Sequence, residues 1–320
     1  MQSDVMRVQA GGDPSPAPLA RLWRGFWQLA DPKVWIASVV PMSVGTALAF
    51  RAAGAIHWGW LAATVAGVFL LEIGKNGINE AVDFLSGADT AVAADKRNPF
   101  SGGKKTIVDG RLTLREVQWI AWSATALGTL LGLAIAAWRE PGILWIGVAG
   151  VFFAIFYSQP PLKLVYRGFG EVAVGVAFGP LLTLGAYLVQ AGQWHPTAAA
   201  WGVPFGFLIA NILWINEFPD VEADRAAGKL TGVARLGRRR AVPVYALLYL
   251  GAYVSIILLA VSERNWACLL GLLSLPVAIR SVLHARRYAD DISRLLAANA
   301  RTVLVYVITG VGTTIGLLLA

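Results

Sequence analysis

Two short stretches of this sequence bring oxygen-bearing side chains together at the spacing of a helical turn. Asn79 and Asp83 are four residues apart, and Asn216, Asp220 and Asp224 repeat that interval twice. On a continuing helix, side chains at this spacing project from one face. Carboxylate and amide oxygens are the ligands a hard divalent cation such as Mg²⁺ selects, and Mg²⁺ completes its shell with substrate phosphates. Two such clusters facing each other imply a diphosphate between them. The segment Lys96-Arg97-Asn98-Pro99-Phe100-Ser101-Gly102-Gly103-Lys104-Lys105 adds cations and glycine-exposed backbone N–H groups for an anion, with Arg97, Lys104 and Lys105 as the expected contacts. Helix capping or salt bridging to these basic residues accounts for single carboxylates, but not for the paired set.

A third polar group, Glu72, Lys75 and Asn76, lies in an apolar run one to two turns before Asn79. Charged residues in a membrane helix face a cavity or one another. In one reading, Lys75 binds an acidic acceptor or the diphosphate while Glu72 assists deprotonation. In the other, Glu72 and Lys75 are a structural pair at i,i+3.

The elements that must position these residues are membrane spans. The chain has 320 residues, is 57% hydrophobic and 14% charged, and holds 13 Trp, too apolar for one soluble domain. Apolar runs of roughly 17 to 25 residues begin near Val34, Trp58, Val117, Pro141, Glu171, Pro196, Ala241, Asn265 and Asn299, predicting about nine helices. Of the 27 Lys and Arg, all but Arg51, Arg139 and Arg264 then fall on the face that carries the N-terminus and both acidic motifs. The positive-inside rule makes that face cytoplasmic. The net charge of +8 is therefore a matter of topology, and nucleic acid is excluded as a partner. Residues 1–30 lack a continuous apolar core and read as a cytoplasmic segment without a cleavable signal peptide, ahead of one domain over 31–320. Cys268 is a lone buried residue with no disulfide partner, and His57, His195 and His284 lack metal-ligand spacing. Trp58, Trp138 and Trp194 near span ends read as interfacial anchors.

Asn79-Glu80-Ala81-Val82-Asp83 at the end of the second span is echoed by Asn216-Glu217-Phe218-Pro219-Asp220 at the end of the sixth. Matching span ends four helices apart suggest two half-bundles around a central cavity. Pro219 should break the hydrogen-bond ladder and kink the sixth span, turning its carboxylates inward.

These residues resemble the UbiA superfamily of intramembrane prenyltransferases over most of the chain. Asn79 to Asp89 (NEAVDFLSGAD) is similar to its first acidic motif in the form seen in 1,4-dihydroxy-2-naphthoate prenyltransferases of menaquinone synthesis. Asn216 to Gly228 (NEFPDVEADRAAG) resembles the second motif, and Tyr157 to Glu171 the signature loop between the fourth and fifth spans. The resemblance implies that Asn79, Asp83, Asp220 and Asp224 hold Mg²⁺ on the diphosphate, with Asp89 and Asn216 supporting. It also implies that Tyr157, Ser158, Lys163 and Arg167 lie near the isoprenoid diphosphate, and that a naphthoate acceptor loses its carboxylate. The chain departs from the family in having Glu80 where Asp is common, a conservative change for an oxygen ligand, and Asp31-Pro32-Lys33 where many members carry Arg-Pro.

The expectation is an all-α integral membrane protein of the cell membrane, its helices bundled around a central cavity. Mg²⁺ and Lys/Arg neutralise the diphosphate, an allylic cation forms, and an electron-rich aromatic carbon attacks it while the polyprenyl tail lies in the apolar cavity. A terpene cyclase on the same scaffold would close the cation on its own alkene without an acceptor. A cation-coupled transporter would account for the intramembrane charge, but not for two carboxylate clusters at one face beside a Gly/Lys loop.

Overall fold

A computed structural model describes residues 18–91 and 104–319, and among them every regular element is helical. Ten helices carry the fold: α1 (Pro18–Ala30), α2 (Ile36–Ala53), α3 (Trp58–Ser86), α4 (Leu114–Trp138), α5 (Ile143–Phe156), α6 (Gly170–Ala191), α7 (Pro196–Asn216), α8 (Arg238–Ser262), α9 (Trp266–Tyr288) and α10 (Ile292–Leu318). Eight stretches, the first joining α1 to α2, are long and apolar enough to cross a bilayer. The remaining apolar helix, α5, is shorter than the 17 to 25 residues expected of a span, with 14 residues reaching about 21 Å. Pro141 precedes it and Pro160-Pro161 follow shortly after, so neither flank supplies regular backbone donors to lengthen it. At the other extreme, α3 has 29 residues and α10 has 27.

The basic loops meet at one end of the bundle. Arg21 on α1 grips Glu116 at 2.6 Å, Lys104 pairs with Asp31 at 2.6 Å, and Arg235 donates to the Arg167 carbonyl at 2.9 Å. Two of the three cations assigned to the opposite face are tied there. Arg51 lies 3.5 Å from Glu263, and Arg139 donates to the Val189 and Gln190 carbonyls at 2.7 Å each. The short α5 still connects the two ends, because Gly142 abuts Trp194 at the far end while Ser158 reaches Asn79 near the acidic end.

Helix ends follow local chemistry. Thr113 and Glu116 form a capping box that starts α4, and Gly87 closes α3 with a positive φ of 82°. The largest apolar core joins α2 and α6 to α10, with smaller clusters beneath α1, α3 and α4. Large side chains such as Trp119, Leu130, Leu247, Leu258 and Leu283 point outward, as a lipid-facing surface requires. Between α8, α9 and α10, buried hydroxyls satisfy one another: Tyr245 with Ser281 at 2.7 Å, Tyr253 with Ser274 at 2.8 Å, and Ser274 with Thr309 at 2.7 Å.

Where the helices approach closest, small residues make room. A wide turn at Ala177–Leu181 around Pro180 brings α6 against α7, where a Cβ on Gly179 would stand 2.6 Å from the Gly206 backbone. Gly150 on α5 has open space around it. Gly179→Ala is therefore expected to lose about 1–3 kcal/mol, seen as a lower midpoint in detergent thermal unfolding, while Gly150→Ala leaves the midpoint in place.

Candidate functional site

Asn79 and Asp83 share a face of α3, as their spacing predicts: the Asn79 amide donates to Asp83 Oδ2 at 2.9 Å. The loop after α5 supplies the rest of the setting. Ser158 Oγ donates to Asn79 Oδ1 at 2.6 Å, and the Tyr166 hydroxyl donates to Asp83 Oδ1 at 2.8 Å. Tyr166 reaches that position from the turn Leu164–Arg167, which is bounded by positive φ values at Lys163 and Gly168. Asp83 is left 1% exposed.

The second motif departs from expectation. α7 does not continue with a kink; it ends at Asn216, four linking residues follow, and a new short helix runs Val221–Ala226. Pro219 has no N–H to extend the ladder and biases Phe218 away from helical backbone, so the break is complete. Asn216, Asp220 and Asp224 consequently do not form one helical face. The Asn216 side-chain oxygen accepts from Asn299 on α10 at 2.8 Å, Asp220 stands at the N-terminus of the short helix, and Asp224 lies within it.

What joins the motifs is Lys229, a residue that the sequence reading did not single out. Its Nζ lies 3.0 Å from Asp83 Oδ2 and 3.9 Å from Asp224 Oδ1. Burial alone would lower the Lys229 ammonium, but Asp83 and Asp224 together outweigh it and hold it well above its usual value. The surrounding acids show how much negative charge is gathered here. Burial raises the Asp224 carboxyl to about 7 against the pull of Lys229, with Asp220 and Asp83 adding to the rise. Asp89, on the short helix Ala88–Ala91, also rises to about 7 through burial and then through Asp83 and Glu80. Glu217 is pushed well up by burial and by Glu171.

Among the described residues, no three His, Cys, Asp or Glu side chains close around a single metal position. The donors nevertheless suit a hard divalent cation in kind, because Asp83, Asp224, Asp220 and Asn79 offer oxygen ligands and the Asp83 and Asp224 carboxylates already share one positive charge. Mg²⁺ needs few protein ligands when phosphates and water fill its shell.

The expected anion-binding residues divide. Lys104 is paired with Asp31, Arg167 donates to the Pro161 carbonyl at 2.9 Å, and Lys163 lies over the Tyr166 ring at 4.9 Å. Arg97 lies outside the described residues. Lys105 contributes through its backbone: its N–H donates to Glu80 Oε2 at 2.8 Å, while Thr106 Oγ1 and the Ile107 N–H donate to Glu80 Oε1 at 2.9 and 3.2 Å. Glu80, which stands where the family commonly has Asp, is thus a fully buried anchor for the 105–107 segment.

Next to the acidic cluster, α3 to α6 line an apolar cavity that is open on one side. Leu71, Ile135, Phe153, Val174, Phe178 and Val189 are among its walls. Glu72, Lys75 and Tyr157 supply polar groups to the same lining. Glu72 accepts a short hydrogen bond from Ser38, and Lys75 stands 6.0 Å from the Tyr157 ring centroid and 5.9 Å from that of Phe178. Glu72 is thus bonded to Ser38 and Lys75 stands beside the cavity rings, while the two charges remain within electrostatic range of each other, as their i,i+3 spacing allows. Tyr157 also lies in electrostatic range of Lys229, Glu217 and Asp83, and burial pushes its phenol well up.

The sequence profile of the UbiA prenyltransferase family matches residues 38–305. The chain is 32% identical to a 1,4-dihydroxy-2-naphthoate octaprenyltransferase of Mycobacterium tuberculosis, over 79% of this chain and 82% of that one. It is 29% identical to a 2-carboxy-1,4-naphthoquinone phytyltransferase of Synechocystis, over 87% of each. Its fold is similar to that of a UbiA homolog from Archaeoglobus fulgidus bound to GPP and Mg²⁺, with a TM-score of 0.60 and 16% identity over 90% of this chain and 99% of the other.

The anchoring role of Glu80 separates it from a metal ligand. Glu80→Ala strands buried donors and is expected to cost about 1–3 kcal/mol in thermal unfolding. A ligand role would instead show as lost metal affinity at unchanged stability.

Proposed function

Because the chain belongs to the UbiA prenyltransferase family and is a prenyltransferase, we propose that it transfers a polyprenyl group from its diphosphate to 1,4-dihydroxy-2-naphthoate or a related quinone precursor, with Mg²⁺ held between the acidic motifs. The observation that carries this reading is the meeting of Asp83 and Asp224 on one cation beside the apolar cavity. A relative whose name gives a naphthoate acceptor and another whose name gives a naphthoquinone support the choice of acceptor.

In this reading Asn79, Asp83, Asp220 and Asp224 hold the metal, with Asp89 and Asn216 in support. Bound there, Mg²⁺ supplies the charge that makes diphosphate a competent leaving group. Lys163 and Lys229 lie close enough to the cluster to receive developing negative charge, and Ser158 and Tyr166 fix the orientation of Asn79 and Asp83. The cavity takes the isoprenoid tail and excludes water from the allylic cation. Lys75, between Tyr157 and Phe178, attracts the acceptor carboxylate, and Glu72, oriented by Ser38, takes the phenolic proton as the aromatic carbon attacks. The bond from the allylic carbon to diphosphate oxygen breaks, a bond from that carbon to the carboxyl-bearing ring carbon forms, the carboxylate leaves as CO₂ to restore the aromatic ring, and the proton taken by Glu72 returns to the ring oxygen. The concentration of basic residues at the acidic end orients that end to the cytoplasm, with residues 1–30 on the same side and 31–320 as the catalytic domain.

The test is mass spectrometry of products from purified protein, a polyprenyl diphosphate, Mg²⁺ and a panel of hydroxylated aromatic acids. Prenylated naphthoate-derived product is expected, falling at least about 100-fold in Asp83→Ala or Asp224→Ala. Full activity in either variant removes those residues from the mechanism, and a cyclic hydrocarbon formed without acceptor replaces transfer by cyclisation. Lys75→Met is expected to raise KM for the aromatic acid while leaving KM for the prenyl diphosphate near the parent value, measured by varying each substrate in turn.

A further inference from the structure

Lys229 is placed with more constraint than a lysine near acids would need. Its own N–H donates to the Asp224 carbonyl at 2.7 Å, following Gly228 at a φ of +70°, and the next residue, Leu230, donates to the Tyr166 carbonyl at 3.1 Å. Thr231 then caps the short helix Gly232–Leu236. The backbone on both sides of Lys229 is thereby fixed to the second motif and to the Tyr166 turn, and its side chain crosses to the first motif. Nζ ends 3.0 Å from Asp83 Oδ2 and 3.9 Å from Asp224 Oδ1, with the Tyr166 ring centroid 5.8 Å away. Asp83 Oδ2 also accepts from Asn79, and Oδ1 accepts from Tyr166. Asp83 therefore has both oxygens engaged by donors, and among the described residues Lys229 is the cation paired with its charge.

Resting on the reading that these motifs hold Mg²⁺ against a diphosphate, we propose that Lys229 is a built-in counter-ion: it holds the metal's place between Asp83 and Asp224, and passes to the diphosphate when metal and diphosphate bind together. A divalent cation and an ammonium on one carboxylate oxygen repel each other, so metal alone must displace Lys229 from Asp83, its partner at 3.0 Å, without supplying a new anionic partner. The diphosphate brings that partner. The lysine stem is flexible and its three donors rotate, so Nζ transfers to phosphate oxygen without moving the tethered backbone. Metal and diphosphate then bind as a coupled pair, each more tightly in the presence of the other. A site emptied of diphosphate sheds its metal as Lys229 returns.

Removing the ammonium should shift the two partial affinities in opposite directions. The full-length protein in detergent is titrated with Mn²⁺ alone, followed by its paramagnetic signal, and separately with inorganic pyrophosphate in EDTA, followed by calorimetry. In Lys229→Met, Mn²⁺ is expected to bind roughly tenfold tighter than in the parent, and pyrophosphate roughly tenfold weaker, within the usual range of coupling between sites. Lys229→Gln should repeat both shifts and provides the measurement should Lys229→Met fail to fold, whereas Lys229→Arg should retain weak Mn²⁺ binding. Unchanged or weaker Mn²⁺ binding in both Lys229→Met and Lys229→Gln overturns the proposal, because a purely structural clamp loosens the site and a simple phosphate-binding lysine leaves metal alone unaffected. Asp83→Ala in the Lys229→Met background separates the two levels. If Mn²⁺ binding survives that second change, the metal-site reading fails with it; if it is lost while Lys229→Met shows no gain, only the role of Lys229 is refuted.

Discussion

A carboxylate that is 1% exposed at the end of a membrane helix must be compensated, and the acidic end of this protein is arranged around meeting that demand at Asp83. The four compensating groups come from three separate stretches of chain: Asn79 on the same helix, Tyr166 and, behind Asn79, Ser158 from the loop after α5, and Lys229 from beyond the second motif. None of these contacts is local except the first. The requirement to neutralise one buried charge thus ties α3, the signature loop and the second motif into a single unit, and that unit is also where a diphosphate would bring charge of its own.

The same end has to open onto an apolar cavity without letting the polar cluster lose its order. Tyr157 stands at that boundary, lining the cavity with its ring while remaining within reach of the field of Lys229 and Asp83. The helices around it approach through glycine, as at Gly74 and Gly77 against Thr125 and Ala121, so α3 and α4 are held by backbone-close packing. Rigid helix pairs leave the loops free to be shaped by hydrogen bonds, which is where most of the proposed chemistry lies.

Much of the fold was legible in the sequence because bilayer thickness and charge asymmetry are strong, one-dimensional signals. The grouping of basic residues on one face matches the contacts among their loops, and the i,i+4 spacing of Asn79 and Asp83 does produce a direct hydrogen bond. The failures are tertiary. Pro219 was readable as a disturbance, but whether a proline kinks or ends a helix depends on what satisfies the freed carbonyl; here the Asn299 amide donates to the Ile215 carbonyl at 3.2 Å. The anchoring role of Glu80 was not legible, because a carboxylate that binds metal and one that anchors a loop are chemically the same. Lys229 followed the second motif in plain view after Gly228, yet only the folded chain brings it to Asp83, 146 positions away. Lys104 carried the right charge for an anion, and Asp31 took it first.

The brevity of α5 has a consequence for the membrane itself. A span of about 21 Å is roughly 9 Å short of an average hydrocarbon core, and such hydrophobic mismatch is relieved by thinning the surrounding lipid or drawing headgroups inward. Because α5 is a wall of the cavity, the dimple forms beside the compartment that would receive a lipid-soluble substrate. An amphiphile with a long tail and a charged head meets, at that place, an interface already lowered toward the level of Tyr157. Thinner lipid at that wall shortens the distance between the level of headgroups and the level of Tyr157.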